Sequence, residues 1–203
     1  MKHGKILLPA VLLVLVLAGA GVLYQQLGSS EKTETESLSM DEESDRAEDT
    51  DDTDDTDDTY TPPLAADFSF TDTDGNPVRL ADYIGEPIVL NFWASWCSPC
   101  TSELPGFENA WNTYGDRVQF LMVNVTDGYQ ETVDTASSFV EEEGYLFPLY
   151  FDTTGEGVNA YGIYSIPQTF LIDSEGYIQT QYVGAATEEK LVKSIEKLLA
   201  AEE

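Results

Sequence analysis

The sequence predicts an α/β domain, with a mixed central sheet, helices on both faces and a β-hairpin on its N-terminal side. Three observations carry that prediction. Ile88-Val89-Leu90-Asn91-Phe92-Trp93 is an almost unbroken apolar run, the pattern of a strand covered on both sides. The stretch that follows, residues 97–114, puts Leu104, Phe107, Ala110, Trp111 and Tyr114 on one helical face,. Two turn signals, Asp74-Gly75 and the segment 173–176, each separate a pair of strand-like runs, so antiparallel hairpins flank a strand–helix–strand unit. Hairpins combined with a helical crossover make the sheet mixed.

In chain order, residues 68–70 and 78–80 form the first hairpin and residues 88–93 the central strand. The helix over 97–114 contains Pro105, which predicts a kink. Residues 118–125 read as the next strand, and 132–143 as a helix stopped by Gly144,. A short strand is expected at 149–151 and a turn of helix at 157–161. Residues 170–172 and 178–183 form the second hairpin. Thr187 then caps a helix running to about Ala201, with Leu191, Ile195, Leu198 and Leu199 as its buried stripe,.

This domain occupies 62–203, and two segments of different composition precede it. In residues 1–27, Lys2 and Lys5 stand before an uncharged apolar run from Ile6 to Tyr24. Nineteen residues at about 1.5 Å each cover about 28 Å, close to the roughly 30 Å of bilayer hydrocarbon,. The segment reads as a transmembrane signal anchor. A cleaved signal peptide is the alternative, with Ala18-Gly19-Ala20 as a small-residue cleavage site,. Lys2 and Lys5 on the cytoplasmic side would make this a single-pass cell-membrane protein with its folded domain extracytoplasmic. Residues 28–61 hold 15 acidic side chains against Lys32 and Arg46, with three Asp-Asp-Thr repeats in 51–59. So few apolar groups cannot offset the entropy of ordering, and the stretch reads as a disordered acidic linker. Calcium binding by the repeats is the other reading, but no Gly-containing ligand loop or closing Glu accompanies them.

Charge and composition exclude several functions. The chain carries 38 acidic residues against nine Lys and Arg, a net charge of −29. That leaves no basic footprint for nucleic acid and no polybasic grip on anionic lipid. His3 is the single histidine, so a Ser-His-Asp triad, a His-ligated zinc or copper and a haem axial His have no candidate in the domain. After Tyr60 the chain holds 23 acidic and five basic residues and remains near −18, a balance suited to solubility, high salt or alkaline surroundings.

The chemistry concentrates in Trp96-Cys97-Ser98-Pro99-Cys100, where the buried strand passes into a helix. Cysteines three apart on a helical turn face the same side, within reach of a disulfide. The helix N-terminus offers unpaired N–H groups and a partial positive charge, which stabilise a thiolate and lower its pKa. Cys97 stands at the open end and Cys100 one turn in, so Cys97 is the attacking thiolate and Cys100 resolves the mixed disulfide. The same steps in reverse oxidise a dithiol. A structural zinc site needs a second ligand pair, and c-type haem attachment needs His where Thr101 stands,. A bridge closing so short a loop adds little stability, which argues against a purely structural disulfide. No cofactor or metal is expected.

The run Asn91-Phe92-Trp93-Ala94-Ser95-Trp96-Cys97-Ser98-Pro99-Cys100, followed by Glu103-Leu104-Pro105, resembles the thioredoxin fold. More narrowly it resembles the TlpA/ResA-like family of membrane-anchored thiol-disulfide reductases. The likeness extends through Tyr164-Ser165-Ile166-Pro167-Gln168-Thr169-Phe170-Leu171-Ile172-Asp173 and covers about residues 67–199. It implies a thioredoxin-like fold with Pro167 cis beside the cysteines, and Ile166 offering its backbone to a substrate strand. It also implies that Glu103 tunes the Cys97–Cys100 redox disulfide and relays protons. Trp93 and Trp96 read as shielding the site and framing its surface, with plain core packing the equal alternative for Trp93. The substrate-contacting set is Trp96, Ser98, Pro99 and Ile166, and the catalytic set Cys97, Cys100, Glu103 and Pro167. Asn91 stands where cytoplasmic thioredoxins carry a buried acid. Two departures bear on the substrate: Ser165 replaces the family's usual Gly, and Ser98-Pro99 brings no charge between the cysteines.

The resemblance implies a thiol-disulfide oxidoreductase that reduces protein disulfides, among them apocytochrome c, envelope proteins or a methionine sulfoxide reductase. A membrane protein would relay its electrons from cytoplasmic thioredoxin, and the chain would act as a monomer. A peroxidase of the peroxiredoxin type shares the fold, but that chemistry uses a Thr three residues before its Cys, where this chain has Ala94. A tethered binding module with an idle disulfide is the non-enzymatic alternative.

Overall fold

The computed structural model describes residues 61–202. Its centre is the apolar run picked out in the sequence, now strand β3 (Ile88–Trp93), in which every residue is buried. β3 lies between β4 (Gln119–Val125), which runs parallel to it, and β6 (Gln168–Ile172), which runs antiparallel. β5 (Leu149–Asp152) extends the sheet parallel to β4. β1 (Ser69–Thr71) and β2 (Pro77–Arg79) form the N-terminal hairpin, and β7 (Ile178–Val183) closes the other edge. The order across the seven strands is β2-β1-β5-β4-β3-β6-β7.

Alternation along β3 and β4 divides the interior into two layers. Val89, Phe120 and Met122 face one side, where Leu104 and Phe107 of α1 (Ser98–Tyr114), Ala136 and Val140 of α2 (Val133–Glu143), and Leu191 and Ile195 of α4 (Glu188–Ala201) cover them. Leu90, Phe92, Leu121 and Val123 face the other side, beneath Phe68, Phe70 and Leu80. The short helix α3 (Glu156–Ala160) packs on this second face. A methyl group on its Gly157 would lie 2.7 Å from Phe68 Cδ2 and 3.0 Å from Phe92 Cε1, so only glycine admits the approach. Helices therefore cover both faces, the longer three on one of them.

Local signals set the helix ends. Thr132 Oγ1 accepts from Thr135 N at 3.1 Å at the start of α2, and Gly144 ends that helix with φ +75°,. Thr187 caps α4 through Lys190 N at 3.3 Å. Two expectations need adjustment. The helix expected from residue 97 starts at Ser98, because Cys97 has extended backbone (φ −86°, ψ 100°) and is the cap itself. In addition, Leu199 is only half-buried, at the edge of the core stripe formed by Leu191, Ile195 and Leu198.

The expectation of a single-pass cell-membrane protein with an extracytoplasmic domain is corrected. Among the described residues no helix is long and apolar enough to cross a membrane. The longest, α1, has 17 residues and alternates core positions with Glu, Asn, Ser and Thr, which suits a helix lying on a sheet rather than in hydrocarbon. The anchor expected at 1–27 and the acidic linker, through residue 60, lie outside the described residues.

Candidate active site

β3 leaves the core at Trp93, and the chain turns at once: Cys97 N donates to Ala94 O at 3.2 Å. α1 begins at Ser98-Pro99, where a proline loses no helical hydrogen bond because first-turn N–H groups have no partner within the helix,. Cys97 and Cys100 are joined in a disulfide with their Cα atoms 5.2 Å apart. Cys97 Sγ accepts from Cys100 N at 3.3 Å, and Thr101 N donates to Cys97 O at 3.0 Å. The sulfur that would carry the thiolate is thus already aimed at the N–H groups and positive end of a helix. Cys100 is fully enclosed, whereas Cys97 retains 5% exposure. Cys97 is thus the more accessible of the two sulfurs.

The segment before β6 meets the cysteines from the opposite side. The Ile166–Pro167 peptide is cis, and Ile166 O lies 3.6 Å from Cys97 Sγ. With the disulfide closed the sulfur carries no hydrogen, so this is a contact that a thiol would turn into a hydrogen bond. Gly184 N donates to Pro167 O at 2.9 Å and Gln168 Nε2 to Ser165 O at 3.0 Å, which ties the segment to the sheet.

Between these two walls runs a groove of about 480 Å³ lined by Trp96, Cys97, Ser98 and Pro99 on one side and Ile163, Tyr164, Ser165 and Ile166 on the other, with Val125 and Val158. Trp96 is 50% exposed and Tyr164 97%, so two large aromatic surfaces stand open beside the reactive sulfur. Trp93, by contrast, is wholly inside the core and does not frame the groove. Trp96, Ser98, Pro99 and Ile166 were picked out from sequence. Tyr164 stands in the same motif without a local signal that marks it, while Val125 and Val158 come from distant elements that only the topology brings near.

Glu103 does not line the groove. It sits on the buried side of α1, where its Oε2 accepts from Ala186 N at 2.6 Å and its Oε1 from Asn91 Nδ2 at 2.9 Å. Asn91 Nδ2 also donates to Thr169 Oγ1 at 3.0 Å, and Asn91 Oδ1 has no hydrogen-bond partner among the described residues. Burial raises the Glu103 carboxyl from 4.5 to about 7, and the two donated hydrogen bonds only partly oppose it,. A larger hollow of about 740 Å³, bounded by Asp72, Tyr145 and Leu146, contains neither cysteine.

A cysteine pair capping a helix, a cis-proline segment against it and a sheet of this order define a thioredoxin-fold thiol-disulfide oxidoreductase. Residues 63–181 match the AhpC/TSA family. The thiol-disulfide oxidoreductase ResA of Geobacillus thermodenitrificans (strain NG80-2) is 36% identical over 135 residues, 66% of this chain and 75% of that protein. The crystal structure of StoA from Bacillus subtilis matches with a TM-score of 0.56 at 30% identity, covering 65% of this chain and 98% of that one. A thiol:disulfide interchange protein of the thioredoxin family from Chlorobium tepidum TLS matches with a TM-score of 0.60 at 26% identity, over 69% of this chain and 98% of that one. The chain belongs to the AhpC/TSA family and, within it, to the ResA-like thiol-disulfide oxidoreductases. Its chemistry is dithiol–disulfide exchange through Cys97 and Cys100.

Proposed function

We propose that the chain works mainly as a reductant of protein disulfides, with apocytochrome c among its targets, and that a dithiol electron-transfer protein re-reduces it. The observation that carries the reading is the sulfur of Cys97 at the tip of α1, accepting from Cys100 N and facing Ile166 O across an open groove. In the reduced protein the Cys97 thiolate attacks one substrate sulfur, forms a mixed disulfide and expels the other as a thiolate that takes up a proton. Cys100, deprotonated, then attacks Cys97 Sγ and expels the second substrate thiolate. Two electrons and two protons pass to the substrate, and the Cys97–Cys100 disulfide closes.

Pro167 and Ile166 shape the docking site, with the Ile166 backbone pairing to an extended substrate strand. Trp96, Ser98 and Pro99 contact the substrate on the other side. Glu103 tunes the pair and exchanges protons with it; a carboxyl held at about 7 suits that task near neutral pH,. One chain carries both cysteines and Pro167, so a monomer suffices. The test is a pair of variants. Cys100→Ser should accumulate mixed disulfides with protein substrates through Cys97, and Cys97→Ser should accumulate none. Equal trapping by both would overturn the assignment, and peroxide consumption without a disulfide substrate would favour a peroxidase.

A further inference from the structure

The segment between β4 and α2 holds a buried carboxylate that the exchange steps do not use. Glu131 has no exposed surface. Its Oε2 accepts from Ser95 N at 2.5 Å, and its Oε1 accepts from Ser95 Oγ at 3.0 Å and Thr135 Oγ1 at 2.6 Å. Ser95 lies two residues before Cys97, in the turn between β3 and α1. The carboxylate grips both the backbone and the side chain of one residue, which fixes the orientation of the turn as well as satisfying a donor.

Glu131 is itself held firmly. Asp127 Oδ1 accepts from Tyr129 N at 2.8 Å, Gln130 N at 2.7 Å and Glu131 N at 2.9 Å, winding the preceding residues into a compact loop. Gly128, with φ +74°, donates its N–H to Glu131 O at 2.9 Å. On the far side the Thr132–Thr135 cap begins α2. Among the described residues no ion pair reaches Glu131, so its enclosure is offset by these donated hydrogen bonds,. A buried carboxylate is a costly way to satisfy a single N–H. It becomes useful when the placement of its partner matters.

We propose that Glu131 is a positioning residue for the exchange reaction. By clamping Ser95 it sets the turn that delivers Cys97 to the cap of α1, with Sγ directed at Cys100 N and open to the groove. The inference builds on the proposed function, and its test separates the two. Disorder of the turn would pull Sγ away from the helix N–H groups, so the thiolate would lose stabilisation and the attack its alignment.

The experiment compares Glu131→Ala and Glu131→Gln with the parent, reading the pH dependence of Cys97 alkylation in the reduced protein, and kcat and KM for reduction of insulin as a probe disulfide. Glu131→Ala should slow alkylation at neutral pH about tenfold and move the profile midpoint up by about one pH unit. It should lower kcat with little change in KM, since no groove residue is altered. Glu131→Gln can accept from Ser95 N with its oxygen and donate to Ser95 Oγ or Thr135 Oγ1, and should recover to within about twofold of the parent. A parental profile in Glu131→Ala, or equal impairment of both variants, overturns the proposal. If Glu131→Ala fails to fold, Ser95→Ala removes one of the three bonds and should move the profile the same way by about threefold in rate, no movement again being fatal. A parent that reduces no disulfide would sink the functional reading, while the alkylation comparison would still decide the role of Glu131.

Discussion

Replacing Glu103 with Gln should remove a pH-dependent part of the protein's stability whose size follows from its surroundings. The unfolded carboxyl titrates near 4.5, and in the folded chain burial holds it at about 7. Between those values the folded state keeps a proton that the unfolded state has lost, so stability falls as pH rises through this window. The contribution is fully present below the unfolded value and is gone above the folded one. At 1.36 kcal/mol per pH unit, the swing is about 3 kcal/mol. Gln does not titrate, and it fits the site: its oxygen can accept from Ala186 N, and rotating the Asn91 amide offers the unpartnered Oδ1 to the Gln Nε2,. Urea unfolding of the oxidised protein at pH 5, 6, 7 and 8 keeps the thiols out of the measurement. The general acidity of the domain gives its own trend, but both proteins share it. The variant should gain on the parent by about 2.5 kcal/mol between pH 5 and pH 8, the rest of the swing lying below pH 5,. Curves that stay parallel would refute the raised carboxyl and, with it, the proposed proton exchange.

Other substitutions test the fold and the groove. Gly157→Ala should destabilise by about 1–3 kcal/mol in thermal unfolding, because the added methyl meets the fully buried rings of Phe68 and Phe92,. Thr187→Ala, which deletes the cap on Lys190 N, should cost about 1 kcal/mol and leave the exchange rate untouched,. Trp96→Ala should raise KM for a protein disulfide about tenfold while Cys97 alkylates at the parental rate, since the ring supplies contact surface rather than chemistry,.

The features legible in the sequence were those with a local cause. A six-residue apolar run announced β3, Asp74-Gly75 announced a hairpin, and Thr187 announced a helix start. The cysteine pair was legible because strand, motif and helix follow one another without interruption. The pairing of β1 with β5, through Thr71 and Phe151, left no trace, since register across 80 residues is decided by packing,. Glu131 read as one more acid in an acidic chain. Its importance lies in meeting Ser95, 36 residues away, and nothing in either residue's neighbours signals the other. Val125 and Val158 were likewise invisible as groove residues, because one looks like an ordinary apolar strand end and the other like an ordinary apolar position in a short helix. The cap role of Cys97 fell within the one-residue margin at which helix starts are read from sequence,.

The reduction potential of the Cys97–Cys100 pair, obtained by equilibrating the protein against a graded thiol–disulfide buffer at pH 7, bears most directly on whether this chain donates electrons to its targets. A value near about −270 mV is expected for a reductant of this fold. A value near about −120 mV, typical of a strong oxidant, would contradict the proposed direction of exchange.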